Sequence, residues 1–199
     1  MKIHLIRHGK TLANERRLYC GHTDLPLSDT GVAELLELKN QGIYPAKADA
    51  YFTSGLARTM QTLELIYGPV PKEALPRLAE YHFGSFEMKS HEELNPQAGY
   101  QKWIMDDSGQ YPCPGGESRQ DFKRRVAEVY DELLARANSI GNRHGPTRSV
   151  LAVCHGGVIA TIMEKLFPNR HNFYEWQPAP GRGYTIADTP GGTVNYTKI

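Results

Sequence analysis

Apolar positions along this chain come as short runs alternating with helically spaced stripes. Lys2 to Ile6 is a short apolar run that stops at Arg7-His8-Gly9, which predicts a buried strand followed by a turn. Ser28-Asp29-Thr30 then offers N-cap side chains, and Val32, Leu35, Leu36 and Lys39 follow at helical spacing. Asp49–Thr53 predicts a second strand. Leu56, Met60, Leu63 and Tyr67 recur on one helical face until Gly68-Pro69 ends it. Leu75–Leu78 reads as a third short strand. Residues 81–116 are polar and punctuated by Pro and Gly, only weakly helical around Ser90–Leu94 and Tyr100–Asp106, and read as an insertion over the sheet.

The clearest stripe follows Glu117. Phe122, Val126, Val129, Leu133, Leu134, Ala137 and Ile140 share one face, and Gly141 ends the helix. Val150–Cys154 is a β-branched run suited to a central strand, Gly156–Phe167 a helix stopped by Pro168, and Tyr184–Asp188 with Val194–Thr197 a closing hairpin around Pro190-Gly191-Gly192. Strands alternating with helices predict a three-layer α/β/α sandwich around a mostly parallel sheet. No internal repeat, low-complexity tract or linker interrupts the pattern, so residues 1–199 read as a single domain.

Composition narrows the functional classes. The chain has 199 residues, close to the usual size of one domain, and 23 Lys+Arg against 22 Asp+Glu give a formal charge of +1. No global field or basic run marks a nucleic-acid binder, so any preference for anions is local. The apolar runs fall well short of the ~20 residues a membrane span requires. The Met1–Arg7 stretch is too short in apolar residues for a signal peptide, and the expected setting is the cytoplasm. Cys20, Cys113 and Cys154 are odd in number and lack C-x-x-C spacing, which argues against a disulfide framework and a structural zinc site. The oligomeric state stays open.

Three predicted strands end in polar clusters: Arg7-His8-Gly9, Ser54 to Arg58, and His155-Gly156-Gly157. Ligands of open α/β sheets bind beyond the carboxyl ends of the strands, so these clusters should converge on one crevice. Taken singly, an Arg is most often a solvated residue and a His after a strand a structural one. Together they describe an anion site: glycines allow close approach of backbone, and Gly156-Gly157 opens a helix whose unpaired N–H groups favour negative charge. The natural guest is a phosphate.

These residues also match a family. Leu5-Ile6-Arg7-His8-Gly9-Lys10-Thr11-Leu12-Ala13-Asn14 resembles the opening signature of the histidine phosphatase superfamily, the phosphoglycerate mutase-like proteins. Gly21 to Ser28 resembles the loop before the first helix, Ser54 to Thr62 the second-arginine motif, Leu78-Ala79-Glu80 with Phe83 to Glu87 the acid-bearing segment, and Val153 to Gly157 the closing motif. The resemblance implies a phosphoglycerate mutase-like fold, with His8 as nucleophile and Glu80 as proton donor. It implies a phosphate held by Arg7, Arg58, His155 and Asn14, with Gly156, Gly21 and Cys20 adding contacts near it. No metal or cofactor is implied. Glu87, seven residues on in the same motif, rivals Glu80. His22, His82 and His91 receive no role, since no pair has zinc-like spacing. A histidine nucleophile must be neutral, which two adjacent guanidinium groups favour, and a backbone acceptor should fix its tautomer.

The chain departs from the family pattern at Gly55 and Thr59, where Pro and Ala are usual, at Lys10, where an acid is frequent, and at Met88, where Gly is frequent. Mutases that resemble this family are generally longer, so the expected activity is hydrolysis of a small phosphorylated metabolite. Phe83 to Met88, His91 to Leu94 and Gly115 to Ser118 look most like the alpha-ribazole phosphatase branch. A mutase is the alternative. A non-catalytic phospho-ligand binding module is another, opposed by the retention of His8 and Glu80, and a metallohydrolase lacks recognisable carboxylate spacing.

Overall fold

The computed structural model describes residues 1–140, 147–189 and 193–199. In chain order the strands and helices are β1 (Lys2–Arg7), α1 (Leu12–Glu15), α2 (Asp29–Asn40), β2 (Ala50–Thr53), α3 (Ala57–Tyr67), β3 (Lys72–Ala74), α4 (His91–Leu94), α5 (Ala98–Ile104), α6 (Arg119–Ser139), β4 (Ser149–Cys154), α7 (Gly156–Leu166), α8 (Phe173–Trp176), β5 (Gly183–Asp188) and β6 (Val194–Lys198). Short 3₁₀ turns occupy Pro76–Leu78 and Gly84–Phe86. The strands form one six-stranded sheet in the order β3-β2-β4-β1-β5-β6. The first four in that order run parallel, and β5 and β6 are antiparallel to their neighbours.

Side-chain alternation on the strands builds the three layers. Ile3 and Leu5 of β1, Phe52 of β2 and Val150, Ala152 and Cys154 of β4 point to one core, which receives Phe122, Val126, Val129 and Leu133 of α6 and Val158, Ile159 and Ile162 of α7. Ile6, Tyr51, Leu151 and Val153 point to the other, shared with Leu35 of α2 and Leu63 and Ile66 of α3. Every residue of β4 is buried, as its unbroken apolar run requires of a strand covered on both faces. No helix among the described residues is long and apolar enough to cross a membrane.

The predicted stripes and their caps coincide. Ser28 accepts the Gly31 amide at 3.1 Å, Ser118 accepts that of Asp121 at 3.1 Å, and Gly68 ends α3 at φ 75°. The strand expected at Leu75–Leu78 is a correction. The ladder lies at Lys72–Ala74, and Leu75 adds one more bond to Thr53 O at 2.8 Å. Pro76, lacking an N–H, then opens a 3₁₀ turn that buries Leu78. The helix stop at Gly141 and the turn at Pro190-Gly191-Gly192 lie outside the described residues.

Candidate active site

Register, more than any single contact, assembles the site. Parallel pairing sets Arg7 of β1 opposite Cys154 of β4, so the next residues, His8 and His155, leave the sheet side by side. The His8 amide donates to Cys154 O at 3.0 Å, and the imidazole centroids lie 5.0 Å apart. On the other flank of β4, Thr53 pairs with Val153, which brings Ser54 to 2.9 Å from His155 Nε2. Arg58 enters from the first turn of α3 and is 1% exposed.

Hydrogen bonding fixes both histidine tautomers. His8 Nδ1 is 2.7 Å from the carbonyl of Gly9, which can only accept, so Nδ1 carries the proton and the lone pair sits on Nε2. At His155, Arg58 Nη2 can only donate, so Nδ1 at 3.4 Å accepts and Nε2–H donates to Ser54. The chain runs on: Ser54 Oγ donates to Thr59 Oγ1 at 3.2 Å, and Thr59 donates to Leu56 O at 2.7 Å. Burial, then Arg58 and Arg7, pushes the His8 pKa down to about 3. Burial, with His8 and the same two arginines, holds His155 well below its ordinary value. Both rings are neutral near pH 7, and the positive charge of the cage comes from the guanidinium groups.

Those groups are tied to backbone on their outer sides. Arg58 donates to Thr23 O at 2.8 Å and Gly21 O at 2.6 Å. Arg7 Nη1 donates to Pro178 O at 2.8 Å, whereas its Nε is buried and has no partner. An unpaired buried guanidinium N–H beside two neutral imidazoles is a donor waiting for an anion. Gly156 packs closely beside it: a Cβ there would lie 3.1 Å from Arg7 Cζ and would press the guanidinium out of place by a few tenths of an ångström.

Glu80 and its rival Glu87 do different work. Glu80 Oε2 accepts the Gly157 amide at 2.8 Å and Oε1 the Tyr81 amide at 2.9 Å. A Cβ on Gly157 would fall 2.4 Å from Glu80 Oε1, so only glycine lets the carboxylate rest on the first turn of α7. Glu87 instead accepts amides of Gly21, His22 and Thr23 at 2.9 to 3.2 Å. Burial alone would raise its pKa, but the bonds from His22, Thr23 and Gly21 outweigh it and hold the carboxyl below its usual value.

The cleft above the cage, ≈ 460 Å³, is lined by Arg7, Asn14, Cys20, Glu80 and Gly157 at its inner end. Aromatic side chains line it in two packed groups, Tyr19, Tyr81, Phe83 and Trp103 in one and Phe173 and Tyr174 in the other. Asn14 Oδ1 is spent on the Thr11 amide at 3.0 Å as part of the capping box of α1, which leaves its NH₂ as the donor to offer a ligand. Gly21, expected to lend phosphate a backbone contact, has its N–H on Glu87 and its C=O on Arg58. Cys20 Sγ reaches Thr23 O at 3.6 Å, and burial raises its thiol pKa, so it carries no thiolate.

Nothing in the local sequence pattern singles out the roles of Ser54, Thr59 and Arg125. Arg125, on α6, pairs with Glu117 at 2.7 Å and donates to Ala79 O at 2.8 Å and Glu80 O at 3.2 Å, holding the backbone that carries Glu80. The only hint was a Glu before a capped helix with an Arg two turns in. Among the described residues, no three of His, Cys, Asp or Glu gather in an arrangement that could hold a metal.

The model of the histidine phosphatase superfamily (branch 1) matches residues 3–194. The chain belongs to that superfamily. The adenosylcobalamin/alpha-ribazole phosphatase of Salmonella typhimurium is 32% identical over 170 residues, 83% of this chain and 79% of that protein. The 2,3-bisphosphoglycerate-dependent phosphoglycerate mutase of Bradyrhizobium diazoefficiens is 30% identical over 177 residues, 82% of this chain and 81% of that protein. Among solved structures, a putative alpha-ribazole-5'-P phosphatase from Escherichia coli superposes with a TM-score of 0.83 at 25% identity, covering 99% of this chain and 94% of that one. Both branches of superfamily chemistry, phosphatase and mutase, are thus represented among its relatives.

Proposed function

We propose that this superfamily member is a metal-independent phosphomonoesterase that hydrolyses small phosphorylated metabolites through a phosphohistidine at His8. The observation that carries the reading is the placement of a neutral imidazole, its lone pair on Nε2, between two buried guanidinium groups with a carboxylate on the adjacent helix turn. Phosphoryl transfer asks for in-line positioning and for positive charge around the equatorial oxygens. Nε2 of His8 attacks phosphorus, Arg7, Arg58 and the Asn14 NH₂ hold the oxygens, His155 accepts from and so positions Arg58, and Glu80 protonates the leaving alkoxide. In the second half-reaction Glu80 takes a proton from water as it attacks the phosphohistidine, the P–N bond breaks and phosphate leaves.

Hydrolysis is favoured over mutase chemistry by the cleft. Its aromatic lining suits an alcohol with a flat apolar part, as in alpha-ribazole phosphate, better than a small polyanionic bisphosphoglycerate. A cytoplasmic setting accords with three free thiols, Cys20, Cys113 and Cys154. The test is a panel of alpha-ribazole phosphate, 3-phosphoglycerate, sugar phosphates and an aryl phosphate, scored by kcat/KM. Ring-bearing esters should lead by about tenfold or more, whereas bisphosphoglycerate-dependent isomerisation of 3-phosphoglycerate as the fastest reaction would overturn the reading.

A further inference from the structure

Arg119 stands at the first position of α6 with its side chain in the cleft wall, and its Nε and Nη2 are both buried with no hydrogen-bond partner. A cation at a helix N-terminus opposes the helix dipole. Buried guanidinium N–H groups without acceptors add a further cost. No carboxylate among the described residues offsets either cost by an ion pair. Asp106 lies close enough to feel the charge of Arg119, but its oxygens are engaged with the amides of Ser108 at 3.0 Å and Tyr111 at 2.7 Å. The neighbouring cation on the same wall, Lys123, is matched by Glu164 at 3.7 Å. Thr161 Oγ1, on the same lining, is also unpartnered, but Arg119 is the cleft residue outside the phosphate cage, among the described residues, that leaves a charged group with two unpaired donors.

We propose that Arg119 is a specificity-determining residue that binds a hydrogen-bond-accepting group, carboxylate above all, on the leaving-group end of a phosphomonoester whose middle is flat and apolar. The proposal rests on the phosphomonoesterase reading and deepens it. Phosphate in the inner cage anchors one end of the substrate. The ring packs against the aromatic lining that includes Tyr19, Trp103, Phe173 and Tyr174, and an acceptor at the other end takes the paired N–H groups of Arg119. A planar fork suits a carboxylate, which accepts two parallel bonds.

The experiment compares phenyl phosphate with 3- and 4-carboxyphenyl phosphate on the wild-type chain and on Arg119→Met. The wild type should prefer the better carboxylated ester by about 10- to 100-fold in kcat/KM, the scale of a hydrogen bond to a charged group, through KM more than kcat. Arg119→Met should bring that ratio to near one, with the loss falling on the carboxylated esters far more than on phenyl phosphate. Should Arg119→Met fail to fold, Arg119→Lys, which keeps charge but loses the fork, should lose most of the preference. A wild-type ratio near one, or a ratio that survives either substitution, overturns the proposal. Binding of the same three esters to His8→Ala separates the two readings. Absence of any wild-type turnover sinks the phosphomonoesterase, while the binding ratio, and its loss in His8→Ala/Arg119→Met, still decides Arg119.

Discussion

The carboxylate of Glu80 rests on the N-terminal turn of α7, with Oε2 taking the Gly157 amide at 2.8 Å, immediately past the histidine that closes the phosphate cage. Hydrogen bonding and the helix dipole thus orient the acid from the same turn that presents His155. Glu80→Gln keeps an acceptor for Gly157 and removes the transferable proton. It should leave phosphate affinity within a few-fold and slow turnover by ~10²–10⁴, the usual contribution of a positioned general acid. Wild-type rates in Glu80→Gln would remove Glu80 from the chemistry.

Glu87 makes the opposite prediction. Its oxygens gather the Gly21, His22 and Thr23 amides, and the carbonyls of Gly21 and Thr23 in turn hold Arg58. Glu87→Ala should lower stability by about 1–3 kcal/mol, from several orphaned amides, and raise KM more than it lowers kcat. A kcat loss as deep as that of Glu80→Gln, at unchanged KM, would contradict the division of labour between the two.

The hydroxyl chain from Thr59 through Ser54 to His155 assigns a tautomer that nitrogen NMR can read. Nε2 of His155 should carry the proton and Nδ1 should not, at pH 7 without ligand. Ser54→Ala removes the acceptor and should shift the tautomer populations and cut kcat by about tenfold. Thr59→Ala should do less, since Ser54 can still accept. Resonances showing Nδ1–H in the wild type would break the chain.

Buried neutral histidines make the fold acid-sensitive. Burial, aided by Lys2, lowers the pKa of His4 to about 4, and that of His8 lies at about 3, both from 6.5. Between those values and 6.5 the unfolded chain binds more protons than the folded one, so stability rises with pH in that window. The contribution is complete above about pH 6.5 and is lost as pH falls toward 4 and then 3. Denaturation midpoints measured from pH 7.5 to 4.5 should fall steadily, and His4→Gln should flatten the slope. A slope unchanged by His4→Gln would put the acid sensitivity elsewhere.

How much of this was readable beforehand depends on the range of the interaction. Apolar runs that stop at Arg7, Ser54 and His155 mark strand ends by local pattern, and the parallel sheet does the rest by aligning them. The short helices α1 and α8 escaped because four residues give no periodicity. Their capping boxes, Thr11 with Asn14 and Asn172 with Glu175, were the available signal. Glu80 and Glu87 share a motif and differ only in which backbone amides they meet. The Arg125 bond to Ala79 spans 46 positions, and the Ser54 bond to His155 spans 101. Met88, standing where the family favours Gly, keeps the left-handed backbone at φ 59°, so the fold tolerates strain at that site instead of changing its path.

The central claim is a covalent bond between phosphorus and His8 Nε2, and trapping it is the direct measurement. The enzyme is mixed with a ³²P-labelled monoester it turns over, quenched in alkaline detergent, and mapped by mass spectrometry, with EDTA present throughout. About one base-stable, acid-labile phosphoryl group per chain should be found on His8, none in His8→Ala, and more in Glu80→Gln, where the water step is slowed. Full turnover with no label on His8, or turnover retained in His8→Ala, would contradict it.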